Sequence, residues 1–122
     1  MHRLIARAGL VIAFAGASVS PALAHAFLTS AIPAVGSTVA TSPSEVDCNF
    51  TEALEPSFST LAVQNAAGAR VDTGKMHLAT GNAKRMVIAL QHLPAGTYTV
   101  TWHATSVDTH HTAGHFNFTV AP

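Results

Sequence analysis

Gly96-Thr97-Tyr98-Thr99-Val100-Thr101-Trp102-His103-Ala104-Thr105 decides the fold. Tyr98, Val100 and Trp102 alternate with Thr97, Thr99, Thr101 and His103. A period of two puts the first set on a buried face and the second on a solvated one, the signature of a half-buried β-strand. Threonine, valine and aromatic residues also suit a pleated surface. Downstream, Ala113 to Val120 repeats the pattern with Phe116, Phe118 and Val120 inward. If these two strands form a hairpin, Trp102 should oppose Phe116 and Val100 should oppose Phe118. The same register sets His103 against His115 on the outer face, first of all a solvated pair on the sheet surface, otherwise two imidazoles that could weakly bind a second metal or repel when protonated.

Upstream the same reading continues. Ala26 to Ile32 starts a strand, and Pro33 to Ser37 and Thr41 to Ser44 are turns. Val46, Cys48 and Phe50 form one face of a strand, and Phe58 to Val63 is the next. Arg70 to Asp72 pairs briefly with it. Thr73 to Ala83, polar and containing glycine, reads as a loop with one short extended piece. Arg85 to Gln91 is a strand with Met86, Ile88 and Leu90 on one face. No stretch beyond the N-terminal segment sustains a 3.6-residue apolar period. Six or seven short strands separated by turns give an all-β antiparallel sandwich or small Greek-key barrel.

The first 24 residues have the layout of a secretory signal. Arg3 and Arg7 supply positive charge, Gly9 to Val19 is an uncharged apolar run, and Ala22-Leu23-Ala24 is a small-x-small cleavage site. The run is shorter than the roughly 20 residues a membrane-spanning helix needs. There is no Arg-Arg pair, so the Sec route is expected rather than the twin-arginine route. Cleavage after Ala24 would leave 98 of the 122 residues, 25–122, enough for one small domain. That part holds four basic residues against six acids, a formal charge of −2, and no basic patch suggests nucleic acid or an anionic membrane. Seven of the eight histidines lie in it.

Cys48 is the single cysteine, so no internal disulfide can form. Its place in the Val46/Cys48/Phe50 alternation makes it a buried, inert thiol, the usual fate of a free cysteine. The competing role, a soft ligand for Cu(I), has no second soft residue beside it.

Val107-Asp108-Thr109-His110-His111 carries the chemistry. In extended backbone, Asp108 and His110 at i and i+2 point to the same side, one offering a carboxylate oxygen and the other an imidazole nitrogen. After signal cleavage His25 becomes the N-terminal residue. Its α-amine and Nδ1 can then close a chelate ring on one metal, and an α-amine titrating near about 8 gives up its proton readily. With His110 as third nitrogen and Asp108 as oxygen donor, the set favours Cu(II), which tops the divalent affinity order. Zinc prefers tetrahedral sets, often with cysteine in structural sites. His111, adjacent to His110, should point away in extended chain.

Several stretches together resemble the CopC family of periplasmic copper-resistance proteins. His25-Ala26-Phe27-Leu28-Thr29-Ser30-Ala31-Ile32-Pro33-Ala34-Val35-Gly36-Ser37 is similar to the family's opening. Asn49-Phe50-Thr51-Glu52-Ala53-Leu54 resembles its His-Phe-Ser-Glu-x-Leu segment. Ala95-Gly96-Thr97-Tyr98-Thr99-Val100-Thr101-Trp102 resembles its Ala-Gly-Thr-Tyr-x-Val-x-Trp strand, and Ser106-Val107-Asp108-Thr109-His110 its Ser-x-Asp-x-His signature. The resemblance implies an Ig-like, cupredoxin-like Greek-key sandwich that binds Cu(II) in the periplasm through His25, Asp108 and His110. Glu52 matches a family glutamate near that site and is either a carboxylate partner that holds an imidazole in place or merely a loop acid. Some members carry a methionine-rich loop for Cu(I). Here only Met76 and Met86 follow the signal, so a Cu(II) site without a dedicated Cu(I) cluster is expected.

Three functions compete. A monomeric periplasmic copper carrier or buffer would sequester Cu(II) or pass it to an inner-membrane transporter of the CopD type. A histidine-brace oxidative enzyme would use His25 and His110, but Asp108 would fill a position that oxygen chemistry needs open, and no flat aromatic substrate surface is evident. A structural sandwich with incidental histidines would bind no copper.

Overall fold

The computed structural model of the chain describes residues 25–122. The expected signal segment, 1–24, lies outside the described residues. Eight strands are present: β1 (Leu28–Ile32), β2 (Thr38–Val39), β3 (Glu45–Phe50), β4 (Thr60–Gln64), β5 (Asp72–Ala79), β6 (Asn82–Leu90), β7 (Gly96–Thr105) and β8 (His111–Val120). A short 3-10 turn, Pro56–Phe58, precedes β4. The strands make two four-stranded sheets, ordered β1-β3-β6-β5 and β2-β8-β7-β4. All pairings are antiparallel except β2 with β8. This is the β-sandwich expected, with one strand more than the expected maximum.

The sheets meet through the inward sets. Val46, Cys48 and Phe50 of β3, Met86 and Ile88 of β6, Tyr98, Val100 and Trp102 of β7, and Phe116, Phe118 and Val120 of β8 are all buried. Each such aliphatic or aromatic side chain contributes about 1.5–3 kcal/mol by leaving water. Phe50 meets Trp102 edge-on at 5.2 Å, and Tyr98 stacks on Phe118 at 5.5 Å. The Tyr98 hydroxyl donates to the Pro94 carbonyl at 2.6 Å, fixing the approach to β7. Cys48 is fully buried, and burial pushes its thiol up to about 12.

Two expectations need correction. Thr73 to Ala83 is not a loop: β5 and β6 form a hairpin that turns at Gly81, whose φ of +71° favours glycine. The strand β5 is polar because it is a sheet edge with four of its eight residues exposed and none buried, so no apolar alternation marks it. The β7–β8 register also differs by two. Val100 opposes Phe116, Tyr98 opposes Phe118, and Trp102 opposes Gly114. A slip of two keeps every residue on its expected face. The indole takes the space that a side chain at position 114 would need. His103 consequently faces Ala113, and His115 faces Thr101.

The open side of β4 is occupied. Val63 donates its N–H to the Asp72 carboxylate at 2.7 Å and accepts from Val71 N–H at 2.9 Å. Arg70 forms two 2.8 Å contacts to the same carboxylate and steadies it.

Candidate metal centre

The loop from β7 to β8 is a tight turn. Thr109 N–H donates to the Ser106 carbonyl at 2.8 Å, and Ser106 N–H donates to the His110 carbonyl at 2.9 Å. Thr109 has φ +75°, an unusual conformation for a β-branched residue. Asp108 therefore does not sit in extended backbone, as its i, i+2 spacing suggested. The left-handed residue between Asp108 and His110 brings them together instead, and His110 Nδ1 stands 3.3 Å from Asp108 Oδ1. Such strain in a loop is most often kept where it positions side chains.

Buried Ser106 donates its hydroxyl to the Asp108 carboxylate. This hydrogen bond holds the Asp108 carboxyl below the usual carboxylate range, and His110 adds to the effect. Asp108 is thus kept as an anion. His110 Nδ1 is buried and makes no well-aligned hydrogen bond among the described residues, with the Asp108 carboxylate 3.3 Å away. A buried ring nitrogen so poorly satisfied is costly.

His25 reaches this loop from the start of the domain. Its ring centre is 5.1 Å from that of His110, with the planes at 64°. Two threonines pin the backbone that carries it. Thr51 donates its hydroxyl to the His25 carbonyl at 2.9 Å and accepts from Phe27 N–H at 3.0 Å. Thr112 donates to the Ala26 carbonyl at 2.5 Å, and Ala26 itself is fully buried. The two threonines were missed in the sequence because threonine carries no metal chemistry. The position of Thr51 inside Asn49-Phe50-Thr51-Glu52 was the available signal. Glu52 lies in the bend after β3 and makes no hydrogen bond or ion pair to His25, Asp108 or His110 among the described residues.

Among the described residues, no three His, Cys, Asp or Glu side chains are already arranged to hold a metal ion. Two of the expected donors, His110 Nδ1 and the Asp108 carboxylate, converge, and the His25 ring adjoins them. The remaining expected nitrogen donor, the α-amine of His25, is a peptide nitrogen joined to Ala24 in this chain. The residues present fit a metal once that nitrogen is an amine. His111 points to the opposite face of the sheet, its Nδ1 3.1 Å from the Thr105 hydroxyl oxygen.

Residues 28–121 match the family model described as the CopC domain. The chain belongs to the CopC family. It is 36% identical over 98 residues to Protein YobA of Escherichia coli K12, covering 80% of this chain and 79% of that one. It is 35% identical over 125 residues to Copper resistance protein C of Pseudomonas syringae pv. tomato, covering 96% and 98%. Among solved structures it resembles PcoC, a methionine-rich copper resistance protein from Escherichia coli, with a TM-score of 0.71 and 37% identity, covering 80% of this chain and 99% of that one. This CopC chain is not methionine-rich: beyond residue 24 it holds Met76 and Met86, and Met86 is fully buried in the core.

Proposed function

We propose that the protein is a periplasmic Cu(II) carrier or buffer acting in copper resistance. Segment 1–24 directs export and is removed, and domain 25–122 binds the metal. The α-amine and imidazole of His25, the carboxylate of Asp108 and the imidazole of His110 hold one Cu(II) as cargo. Glu52 stays near the site without ligating. The observation that carries this reading is the buried Nδ1 of His110, without a well-aligned hydrogen bond, beside an Asp108 held anionic and the His25 ring. Membership of a family that includes proteins named for copper resistance supports it.

A monomer that sequesters copper, or hands it to an inner-membrane transporter of the CopD type, needs no catalytic step. The enzyme alternative is disfavoured because Asp108, as an oxygen ligand beside His110, would fill a position that oxygen chemistry needs open. Titration of the protein beginning at His25 with Cu(II), followed by electron paramagnetic resonance, tests the proposal. A one-to-one complex with nitrogen hyperfine structure is expected. No tight first equivalent, or peroxide-driven turnover by the loaded protein, would overturn it.

A further inference from the structure

The outer face of the β2-β8-β7-β4 sheet carries three histidines that the loop site leaves unused: His103, His111 and His115. In the observed register Thr105 opposes His111 and His103 opposes Ala113, so His103 and His111 are diagonal neighbours on one face. Their rings lie 5.6 Å apart with planes at 20°, and both residues are exposed. His115, opposite Thr101, lies further along the strand.

A hydrogen bond sets the tautomer of His111. The Thr105 hydroxyl donates its one proton to the Phe58 carbonyl at 2.8 Å. Towards His111 Nδ1, 3.1 Å away, that oxygen can then only accept. The network therefore assigns the proton to Nδ1 and leaves the lone pair on Nε2. A histidine that donates one ring N–H to an oxygen and offers the other nitrogen is the usual form of a metal ligand. His111 is prepared in that form on the outer face, away from Asp108 and His110.

We propose that His103 and His111 form a second metal site, a pair of imidazoles on the outer face of the sheet that takes a borderline divalent cation, Cu(II) foremost. Metal–nitrogen bonds of about 2.0–2.1 Å place two ligating imidazole centres on the order of 4.5–5.5 Å apart. At 5.6 Å with near-parallel planes the pair stands just outside that range, and both exposed rings must turn about their side-chain bonds to bring their nitrogens onto one ion. Water completes the coordination. With two protein donors rather than a chelate and an anion, this site is weaker than the loop site and fills second.

The test uses the processed protein carrying one equivalent of Cu(II). A second equivalent is added while histidine ring resonances are followed by NMR, with Zn(II) as a diamagnetic parallel. The signals of His103 and His111 are expected to broaden before those of His77, His92 and His115. His103→Gln and His111→Gln should each weaken the second equivalent at least tenfold while the resonance spectrum of the first is unchanged. Thr105→Val should alter the His111 tautomer ratio, read from its ring nitrogen shifts, and weaken the second equivalent severalfold. The ring map is independent of the loop site, so failure of one assignment is distinguishable from failure of the other. A second equivalent that survives both glutamine substitutions, broadens other histidines first, or does not bind at all overturns the proposal.

Discussion

Gly114 lies directly across from Trp102 in the β7–β8 pair, and a methyl group on its Cα would stand 2.5 Å from Cζ2 of the indole. The indole is held from the other side by Phe50. A large residue over a small one is how facing positions fill a core without voids or overlap. It is also why the hairpin settles two residues away from a register that would set indole against phenyl.

Gly114→Ala should therefore destabilise the domain by about 1–3 kcal/mol, the usual cost of forcing extra volume into a packed core. Urea melts should show a lower midpoint with an unchanged slope. Trp102→Phe in the same chain should restore part of the loss. Trp102→Ala alone should cost about 3–5 kcal/mol. A Gly114→Ala protein as stable as the parent would contradict the packing.

At the loop site, His110→Ala should weaken Cu(II) more than Asp108→Ala, since it removes an imidazole nitrogen. Both should change the spectrum. His111→Ala should leave the first equivalent nearly untouched, because its ring faces the other side of the sheet. The ordering is checked by competition titration against a chelator of known affinity. If His111→Ala is the more damaging histidine change, the ligand assignment is one residue out.

Processing should switch the site on. Retaining Ala24 leaves the His25 nitrogen as an amide, which is not basic and binds Cu(II) only after losing its proton. The extended and processed proteins should have the same circular dichroism and thermal midpoint, yet the extended one should bind much more weakly. Equal affinities and identical spectra for the two would end this idea.

Thr51→Val removes the hydroxyl that grips His25 and Phe27 while keeping the side chain's shape. Cu(II) affinity should fall roughly tenfold, equivalent to about 1.4 kcal/mol, with a broadened resonance spectrum from a less ordered amine donor. Thr51→Ser should restore both. A purely structural role would lower stability without moving the spectrum.

Cys48 gives a pH signature. Its thiol titrates at about 12 when folded, against 9.0 for an ordinary thiol. The folded state then holds a proton that the unfolded state releases, so stability falls as pH rises between those values. Below pH 9 the contribution is fully present. The fall should be steeper in the parent than in Cys48→Ala when denaturant midpoints are compared from pH 8 to 11. A disulfide reagent at pH 8 should react only as fast as the protein opens.

The strand faces were legible in the sequence because alternation reports burial directly, as at Tyr98, Val100 and Trp102. Pairing partners were less so, because alternation is blind to a slip of two and the small residue that decides it, Gly114, carries no pattern of its own. The edge strand β5 was missed because an exposed strand has little apolar signal. At the loop, Asp108 and His110 do come together, but not for the backbone reason that their spacing suggested. Their convergence comes from Thr109 in the left-handed region, which no spacing rule foresees.

The occupied side of β4 bears on behaviour at high concentration. An edge strand with free N–H and C=O groups is a template on which another chain can add a strand, and aggregation starts from such edges. At Val63, mid-strand, both outward groups are taken within the chain, by Asp72 and Val71. What a neighbouring molecule meets there is the exposed Arg70 side chain, already paired with the buried Asp72 carboxylate. Crowded copies of the protein thus meet a closed seam at the middle of β4, and strand addition is hindered along that edge.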